Sequence, residues 1–229
     1  MTMKIMRFSQ RGLVGHWRFN EGTGSTAYDS SPFGNNGTIH GASWVRGKFG
    51  YALKFDGSDD YIIIADFNNN IGDKITIEAW VKRETSSDRY AIWDDWKYLT
   101  NKRAVFFRIN TDGTLKFFVS SNGTSEDSSQ TTDTIDTNWH HVAVTFNAGN
   151  VKFYIDGSES LSDTLSQTSI FNSNQAKHIG LYYEASEYFK GTIDEVRIYN
   201  RPLSAEEIKI HYAFTKYIKP HFIIMRRKL

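Results

Sequence analysis

The chain has 229 residues, 39% of them hydrophobic and 15% aromatic, which is enough apolar material for the core of one large domain. The formal net charge of +1 gives no overall field that would favour nucleic acid, and the absence of cysteine excludes a disulfide framework and thiol catalysis. No apolar run approaches the roughly 20 residues that span a bilayer, so the sequence predicts no transmembrane segment.

Short strand-like runs alternate with turn residues along most of the chain, and helical periodicity is almost absent before residue 204. Asp-Gly and Asn-Gly pairs, which favour tight turns, separate many of these runs. The clearest runs are residues 13–19, 51–55, 60–65, 74–83, 89–99, 103–110, 114–120, 139–147, 150–156, 177–183 and 190–200. Many short strands joined by such turns indicate an antiparallel sandwich or barrel.

Two stretches between the strand-like runs have a different composition. Residues 123–138 are rich in Ser, Thr and Asp, and residues 157–174 are rich in Ser, Asn and Thr. Neither shows the alternation of apolar and polar residues that marks a half-buried strand. We therefore predict that both are long loops.

The strand pattern ends in a helix. Pro202 cannot extend a ladder of hydrogen bonds, so the last strand is predicted to end near Arg201. Ser204 followed by Glu207 forms a capping box, which starts a helix. The sequence therefore predicts one short helix over residues 204–212.

The limits of the pattern suggest a domain organisation. We predict one domain over residues 12–212, an N-terminal extension over residues 1–11 and a tail over residues 213–229. The extension has basic residues but no apolar core, so it is not predicted to be a signal peptide. The tail joins basic residues to a short apolar stretch, which is typical of a linker, or of a membrane-surface or partner-binding segment.

The first and last strands contain the most informative motifs. The first reads Gly-His-Trp-Arg-Phe-Asn-Glu-Gly-Thr-Gly over residues 15–24, and the last reads Gly-Thr-Ile-Asp-Glu-Val-Arg-Ile-Tyr-Asn-Arg-Pro-Leu-Ser over residues 191–204. Between them lie matching segments at 52–61, 76–81, 139–146 and 151–157. In this order the segments resemble the laminin-G-like domain, a concanavalin A-like jelly roll. The resemblance implies an all-β fold, an antiparallel two-sheet jelly-roll sandwich with one short C-terminal helix.

The same resemblance implies a structural calcium near the junction of the first and last strands. Calcium is bound by several oxygen ligands, usually carboxylates with amide or backbone carbonyls. The candidate ligands in this sequence are Asn20, Glu21, Asp29 and Asp194, with a backbone carbonyl near Gly57. The alternative is that these acids cap turns and pair with basic side chains.

A second acidic cluster follows the strand at residues 51–55. Asp56, Asp59 and Asp60 lie within five residues, and related lectins bind calcium and ligand near this position. Asp-Gly-Ser-Asp-Asp is also an ordinary turn sequence, and the turn is the interpretation we favour.

The segment at residues 90–98 is the best candidate for ligand contact, since it combines stacking rings with two adjacent carboxylates. Strand alternation would put its even-numbered residues on one face, and two tyrosines of a later strand could approach the same surface. The alternative is that Trp93 and Trp96 pack in the core. The candidate ligand-binding residues are Tyr90, Trp93, Asp94, Trp96, Tyr98, Tyr182 and Tyr183.

Catalytic motifs are missing from the sequence. Related glycoside hydrolases have acids at alternate positions of one strand, in the pattern Glu-x-Asp-x-x-Glu, and this chain has no such pattern. It also has no Gly-x-Ser-x-Gly elbow and no Gly-rich phosphate loop. We therefore expect a protein that is not an enzyme.

The prediction for function combines these observations. We expect a lectin-like module that binds polysaccharide or glycoprotein glycans, is stabilised by calcium, and belongs to a larger secreted or cell-surface protein. Nucleic acid is not an expected partner. The alternatives are a structural or protein-interaction domain without a sugar site, and a divergent polysaccharide hydrolase or lyase.

Overall fold

A computed structural model describes residues 10–67, 71–84 and 89–217, with side chains up to residue 213. Most of the predicted N-terminal extension, residues 1–9, and much of the predicted tail, residues 218–229, lie outside the described residues.

The described residues form two large antiparallel sheets, a small hairpin and one helix. The strands are β1 Leu13–Trp17, β2 Thr26–Ala27, β3 Gly37–His40, β4 Ser43–Arg46, β5 Tyr51–Asp56, β6 Tyr61–Ile64, β7 Lys74–Arg83, β8 Tyr90–Lys97, β9 Lys102–Ile109, β10 Thr114–Val119, β11 Asp127–Thr134, β12 His140–Asn147, β13 Asn150–Ile155, β14 Ser158–Thr164, β15 Lys177–Ile179, β16 Leu181–Tyr182, β17 Glu187–Tyr188 and β18 Lys190–Tyr199. The helix, α1, is Ala205–Tyr217.

Sheet order brings distant parts of the chain together. The first sheet has the order β14-β13-β12-β7-β18-β5-β4, and β1 also pairs with β18. The second sheet has the order β11-β10-β9-β8-β15-β6-β3-β2, and β16 pairs with β17 in a separate hairpin. The prediction of an all-β, two-sheet antiparallel sandwich with one short helix is confirmed.

The core lies between the two sheets. Strand β7 shows how the sequence builds it, because Ile75, Ile77 and Val81 alternate on the inner face and are almost fully buried. On the opposite face of β7, Glu78 and Trp80 are also buried, since α1 covers them: the Trp80 ring stacks on Tyr212 at 5.6 Å. The first sheet is therefore buried on both faces where the helix crosses it.

The capping box predicted for α1 is present. The Glu207 amide donates to Ser204 Oγ at 3.2 Å, and the Ser204 amide donates to Glu207 Oε2 at 2.9 Å. The helix begins at the predicted position and extends five residues beyond the predicted end at residue 212, to Tyr217.

The prediction of two long loops is wrong. Residues 123–138 contain β11, and residues 157–174 contain β14. Each is the edge strand of its sheet, so one side of the strand pairs with a neighbour while much of the rest faces solvent. Edge strands tolerate polar composition and use it to prevent further pairing, which is why no apolar alternation marks them.

Candidate functional site

Strand β8 contains the predicted ligand-binding segment, and two irregularities in its pairing with β9 change which side chains face outward. The register shifts between Ala91 and Trp93 and again between Asp95 and Trp96. A β-bulge of this kind places consecutive residues on the same face. The predicted alternation is therefore wrong for Tyr90, which joins Trp93 in the core, whereas Trp96 and Tyr98 share the outer face as predicted.

Two of the predicted contact residues lie in the core. Tyr90 is 0% exposed and Trp93 is 1% exposed, and the Trp93 ring packs 5.7 Å from the ring of Trp17. Such burial is incompatible with stacking on a ligand, so the prediction is corrected for both residues. They support the strand from inside the sandwich.

The outer face of the second sheet has an aromatic floor formed by three neighbouring strands. Trp96 of β8, Phe106 of β9 and Phe118 of β10 pack together, with ring centroids of Trp96 and Phe118 at 5.9 Å and of Phe106 and Phe118 at 5.7 Å. Phe106 and Phe118 are direct cross-strand partners. Cross-strand aromatic pairs stabilise a sheet. Trp96 and Phe106 are buried, at 4% and 2% exposed, and Phe118 is half-buried.

The hairpin β16–β17 covers one side of this floor. The Tyr182 ring lies 4.8 Å from Phe106, and burial raises the pKa of the Tyr182 hydroxyl to about 12, so this hydroxyl remains a hydrogen-bond donor at neutral pH. The result is an open groove with a volume of about 240 Å³, which we call the aromatic groove. It is lined by Trp96, Tyr98, Phe106, Arg108, Phe118, Glu126 and Tyr182.

The side chains of Glu184 and Asp94 attach the β16–β17 hairpin to β8 and to the turn that follows β8. Both backbone amides of Tyr98 and Leu99 donate to the carboxylate of Glu184, the second at 2.9 Å. The Tyr183 amide donates to Asp94 Oδ2 at 3.3 Å. These contacts leave the rings of Tyr98 and Tyr183 exposed, at 53% and 54%.

Asp94 was predicted to accept hydrogen bonds from a ligand. Its position beneath the hairpin shows that this prediction is wrong. Its side chain is buried beneath the hairpin, where Oδ2 also lies 3.2 Å from His178 Nδ1. Burial raises the pKa of the Asp94 carboxyl above its usual range. Asp94 therefore positions the hairpin and does not face the groove.

The structure brings Trp96, Tyr98 and Tyr182 together in the aromatic groove. Tyr183 lies beside it, stacked on His178 at 5.4 Å with Lys97 Nζ 4.8 Å from its ring centroid. The sequence reasoning missed the groove residues contributed by β9 and β10. The turn at Asp112-Gly113 was the available signal, because it fixes the register that pairs the two strands.

The predicted metal ligands divide into two groups. Asn20 Oδ1 accepts from the Tyr51 amide at 3.0 Å, and Asp194 Oδ2 accepts from the Phe49 amide at 3.0 Å, so both side chains adjoin the turn before β5. Glu21 Oε2 and Asp194 Oδ1 are buried oxygens without a hydrogen-bond partner. The Glu21 carboxylate accepts from the Tyr28 amide through Oε1, at 2.8 Å. Unpartnered carboxylate oxygens and an amide oxygen are the types of donor that calcium requires.

Asp29 and Gly57 do not belong to this group. The Asp29 carboxylate already accepts four hydrogen bonds, including those from the His16 amide and Ser31 Oγ, so it serves to fold the local turn. Gly57 follows the far end of β5, five residues beyond Ala52, and a strand of that length spans about 16 Å. Gly57 therefore lies away from Asn20 and Asp194, which adjoin the turn at residues 47–50.

The second acidic cluster folds as a turn. Asp56, Asp59 and Asp60 have carboxylate oxygens within 4.8 Å of one another. The Asp56 amide donates to Asp60 Oδ2 at 2.8 Å, and the Ser58 amide donates to Asp56 Oδ1 at 2.7 Å. These bonds account for the sequence of the turn.

Several solved structures share this fold. Domain 4 of AbnA, an extracellular arabinanase from Geobacillus stearothermophilus solved with arabinotriose, has a TM-score of 0.70 and 23% identity over 88% of this chain and 98% of that one. The binding domain of Paraclostridial mosquitocidal protein 1 has a TM-score of 0.72 and 18% identity, covering 88% of this chain and 52% of that one. The binding domain of botulinum neurotoxin DC, solved with rat synaptotagmin II, has a TM-score of 0.71, 18% identity and coverages of 90% and 52%. This chain thus spans about half of each toxin domain.

No curated protein sequence matches this chain. Among the described residues, no helix has both the length and the apolar character needed to cross a membrane. A laminin-G-type family model, described as the concanavalin A-like lectin/glucanases superfamily, matches residues 56–209, about two thirds of the chain. The chain belongs to the concanavalin A-like lectin/glucanases superfamily.

Proposed function

We propose that this protein is a non-catalytic module that binds glycans in the aromatic groove. The observation that carries the proposal is the groove itself, in which three strands, their adjoining turns and a hairpin place rings beside charged and hydroxyl groups. Apolar ring faces with a few polar groups at the margin are typical of small-ligand sites. Sugars offer the matching chemistry, since a pyranose ring has an apolar face and a rim of hydroxyls.

The size and openness of the groove favour part of a longer glycan over an enclosed ligand. Its volume of about 240 Å³ is below the roughly 300–1,000 Å³ of pockets that enclose a drug-sized molecule. The arabinanase domain solved with arabinotriose supports a polysaccharide ligand. Botulinum neurotoxin type C, a further similar structure whose cell entry depends on two ganglioside molecules, supports a glycan ligand.

The distribution of carboxylates supports a binding role without catalysis. Glycoside hydrolysis generally needs two carboxyl groups facing the scissile bond, about 5–5.5 Å apart in retaining enzymes. Within the described residues, the lining of the groove contains one carboxylate, that of Glu126. Asp94 is buried beneath the hairpin, where its carboxylate contacts the ring of His178.

The fold of the superfamily and the similar structures also support an extracellular location. An extracellular arabinanase and toxin binding domains place the same fold in secreted proteins. We propose that this module acts outside the cell, as part of a larger secreted or surface protein.

Calcium is the proposed structural cofactor. Asn20, Glu21 and Asp194 would hold it beside the turn at residues 47–50. A bound calcium would supply positive charge to the two buried oxygens that otherwise lack partners. It would thereby fix the first strand to the last one through the turn between β4 and β5.

Calcium is expected to raise the melting temperature, and more so at pH 8 than at pH 6. Burial raises the pKa of Asp194 to about 8, so at pH 6 a proton must leave before calcium binds. Calcium at about 100 times its Kd would add about 2.7 kcal/mol, a rise of about 5–10 °C for a domain of this size. Thermal scans in calcium or a chelator would measure it.

Two substitutions locate the metal. Asp194→Asn should abolish the calcium-dependent rise, whereas Asp59→Asn, in the other acidic cluster, should retain it. Equal melting temperatures with calcium and chelator at both pH values would rule out the cofactor, and loss of the rise only in Asp59→Asn would move it to the second cluster.

The glycan test uses exposed rings, because their removal spares the fold. Tyr98→Ala and Tyr183→Ala should each weaken binding at least about tenfold, equivalent to about 1.4 kcal/mol, since central aromatic contacts dominate binding energy. Tyr28→Ala is the matched control: Tyr28 is 57% exposed but follows β2, four strands from β8. Binding would be measured on a glycan array and by calorimetry.

Either of two results would overturn the proposal. Equal binding by Tyr98→Ala, Tyr183→Ala and Tyr28→Ala would place the sugar elsewhere on the domain. If no glycan binds the intact chain, with or without calcium, the protein-interaction alternative would replace the lectin-like one.

A further inference from the structure

Two like charges face each other at one end of the aromatic groove. Arg108 of β9 and Lys116 of β10 are direct cross-strand partners on the outer face of the second sheet. Like charges directly opposite each other on neighbouring strands destabilise a sheet. An arrangement that costs stability and lies in a groove is a candidate for function.

The surrounding carboxylates compensate this pair only in part. Glu187 Oε2 lies 3.7 Å from Arg108, but Oε1 of the same carboxylate pairs with Arg89 at 3.2 Å. Among the described residues, Lys116 has no ion pair. Burial, followed by the charge of Arg108, lowers the pKa of Lys116 below its usual range.

The groove as a whole has an excess of positive charge. Its other carboxylate, Glu126, lies 3.8 Å from Arg103, whose guanidinium covers the Tyr98 ring at 3.8 Å. Four cations therefore face three carboxylates around the groove; they are Arg89, Arg103, Arg108 and Lys116 against Glu126, Glu184 and Glu187. The net charge of the whole chain is only +1, so the excess is a local property.

The two opposed cations lie over Phe118, the half-buried ring of the aromatic floor. The Arg108 guanidinium is 5.1 Å and Lys116 Nζ is 4.8 Å from the centroid of the Phe118 ring. A sugar ring stacked on Phe118 would place its substituents between these two groups. A neutral hydroxyl there could accept hydrogen bonds but would leave the repulsion between the cations in place.

We propose that the aromatic groove selects anionic glycans, in which a carboxylate or sulfate on the sugar stacked at Phe118 lies between Arg108 and Lys116. This inference rests on the proposed function and specifies the class of sugar. Arg108 would bind the anionic group through its planar guanidinium and Lys116 as a point charge. The negative charge of the ligand would compensate the two cations, a role that no carboxylate of the sheet fulfils completely.

The test compares each acidic glycan with its neutral counterpart. An array would hold uronic acid oligosaccharides with their methyl esters, sialylated glycans with their desialylated forms, and sulfated glycans with their desulfated forms. Acidic members should bind at least tenfold more tightly than their neutral counterparts in calorimetry at 50 mM salt. The advantage should shrink at 500 mM salt, because screening weakens interactions between charges. The carboxylate and sulfate arms identify which anion is preferred.

Substitutions connect the preference to the two cations. Arg108→Gln and Lys116→Gln should each reduce severalfold the ratio of acidic to neutral glycan affinity. Lys82→Gln is the matched control, because Lys82 lies in a separate basic groove with Arg46 and Lys54 on the first sheet and should leave the preference intact. Circular dichroism of each variant would establish that it is folded.

The outcomes separate this inference from the proposed function. Equal binding of acidic and neutral members, or binding of neutral glycans alone, would overturn the anionic preference and leave a glycan-binding module. A preference that survives both Arg108→Gln and Lys116→Gln but disappears in Lys82→Gln would also overturn it. Absence of binding to any member of the array would overturn both proposals.

Discussion

Replacing Arg197 by methionine is expected to lower the free energy of unfolding by about 3–5 kcal/mol, because it leaves two buried carboxylates without their cation. Arg197 Nη1 lies 3.2 Å from Glu78 Oε1, and its Nη2 donates to Glu195 Oε2. All three side chains are buried between the first sheet and the segments that cover it. Urea unfolding at pH 7 would measure the loss.

The control for Arg197→Met is Lys82→Met, which removes an exposed cation from the neighbouring strand β7. This change is expected to alter stability by no more than about 0.5 kcal/mol. If both variants lost the same small amount, the network around Arg197 would be solvent-screened and would not behave as a buried ion pair.

Acid is expected to destabilise the protein through His141. The His141 ring is fully buried beside Glu78 and Trp80, and burial lowers its pKa to about 4 from 6.5. Between pH 6.5 and pH 4 the unfolded chain therefore binds a proton that the folded chain does not, so stability is lost as the pH falls through this window. The shift corresponds to about 3 kcal/mol at pH 4.

The variant His141→Phe isolates this contribution. Phenylalanine has a ring of similar size and fits among the rings of Trp80, 5.5 Å away, and Tyr212, 6.3 Å away. Asp194 contributes with the opposite sign, because its raised pKa favours the folded state at low pH, but that contribution is common to both proteins and cancels in the difference. A plot of the free energy of unfolding against pH, from pH 7 to pH 4, should fall more steeply for wild type than for the variant. Parallel curves would contradict the prediction.

The sequence determined the fold because its signals are local. Alternation along β7, the Asp-Gly turn before Thr114 and the capping box at Ser204 each depend on residues close together in the chain. These signals predicted an antiparallel sandwich or barrel with a final helix, and the resemblance to the laminin-G-like domain implied the two sheets. The aromatic content of residues 90–98 also identified the strand that contributes Trp96 and Tyr98 to the groove.

The tertiary structure decided which of those aromatic residues face outward. The bulge in β8 turns Tyr90 to the core face that alternation assigns to Trp93, and a bulge depends on the partner strand. The edge positions of β11 and β14 likewise depend on which strands lie beside them, so composition alone predicted loops.

Contacts between distant residues also decided the composition of each candidate site. Arg108 and Lys116 oppose each other only because β9 and β10 pair in one register, and Glu184 reaches Tyr98 and Leu99 across 85 or more residues of chain. Asn20 and Asp194 meet at one turn because β5 and β1 pair with successive parts of the same edge of β18. Local sequence specifies strands and turns through short-range conformational preferences, whereas the order and register of the strands emerge only when the whole core packs.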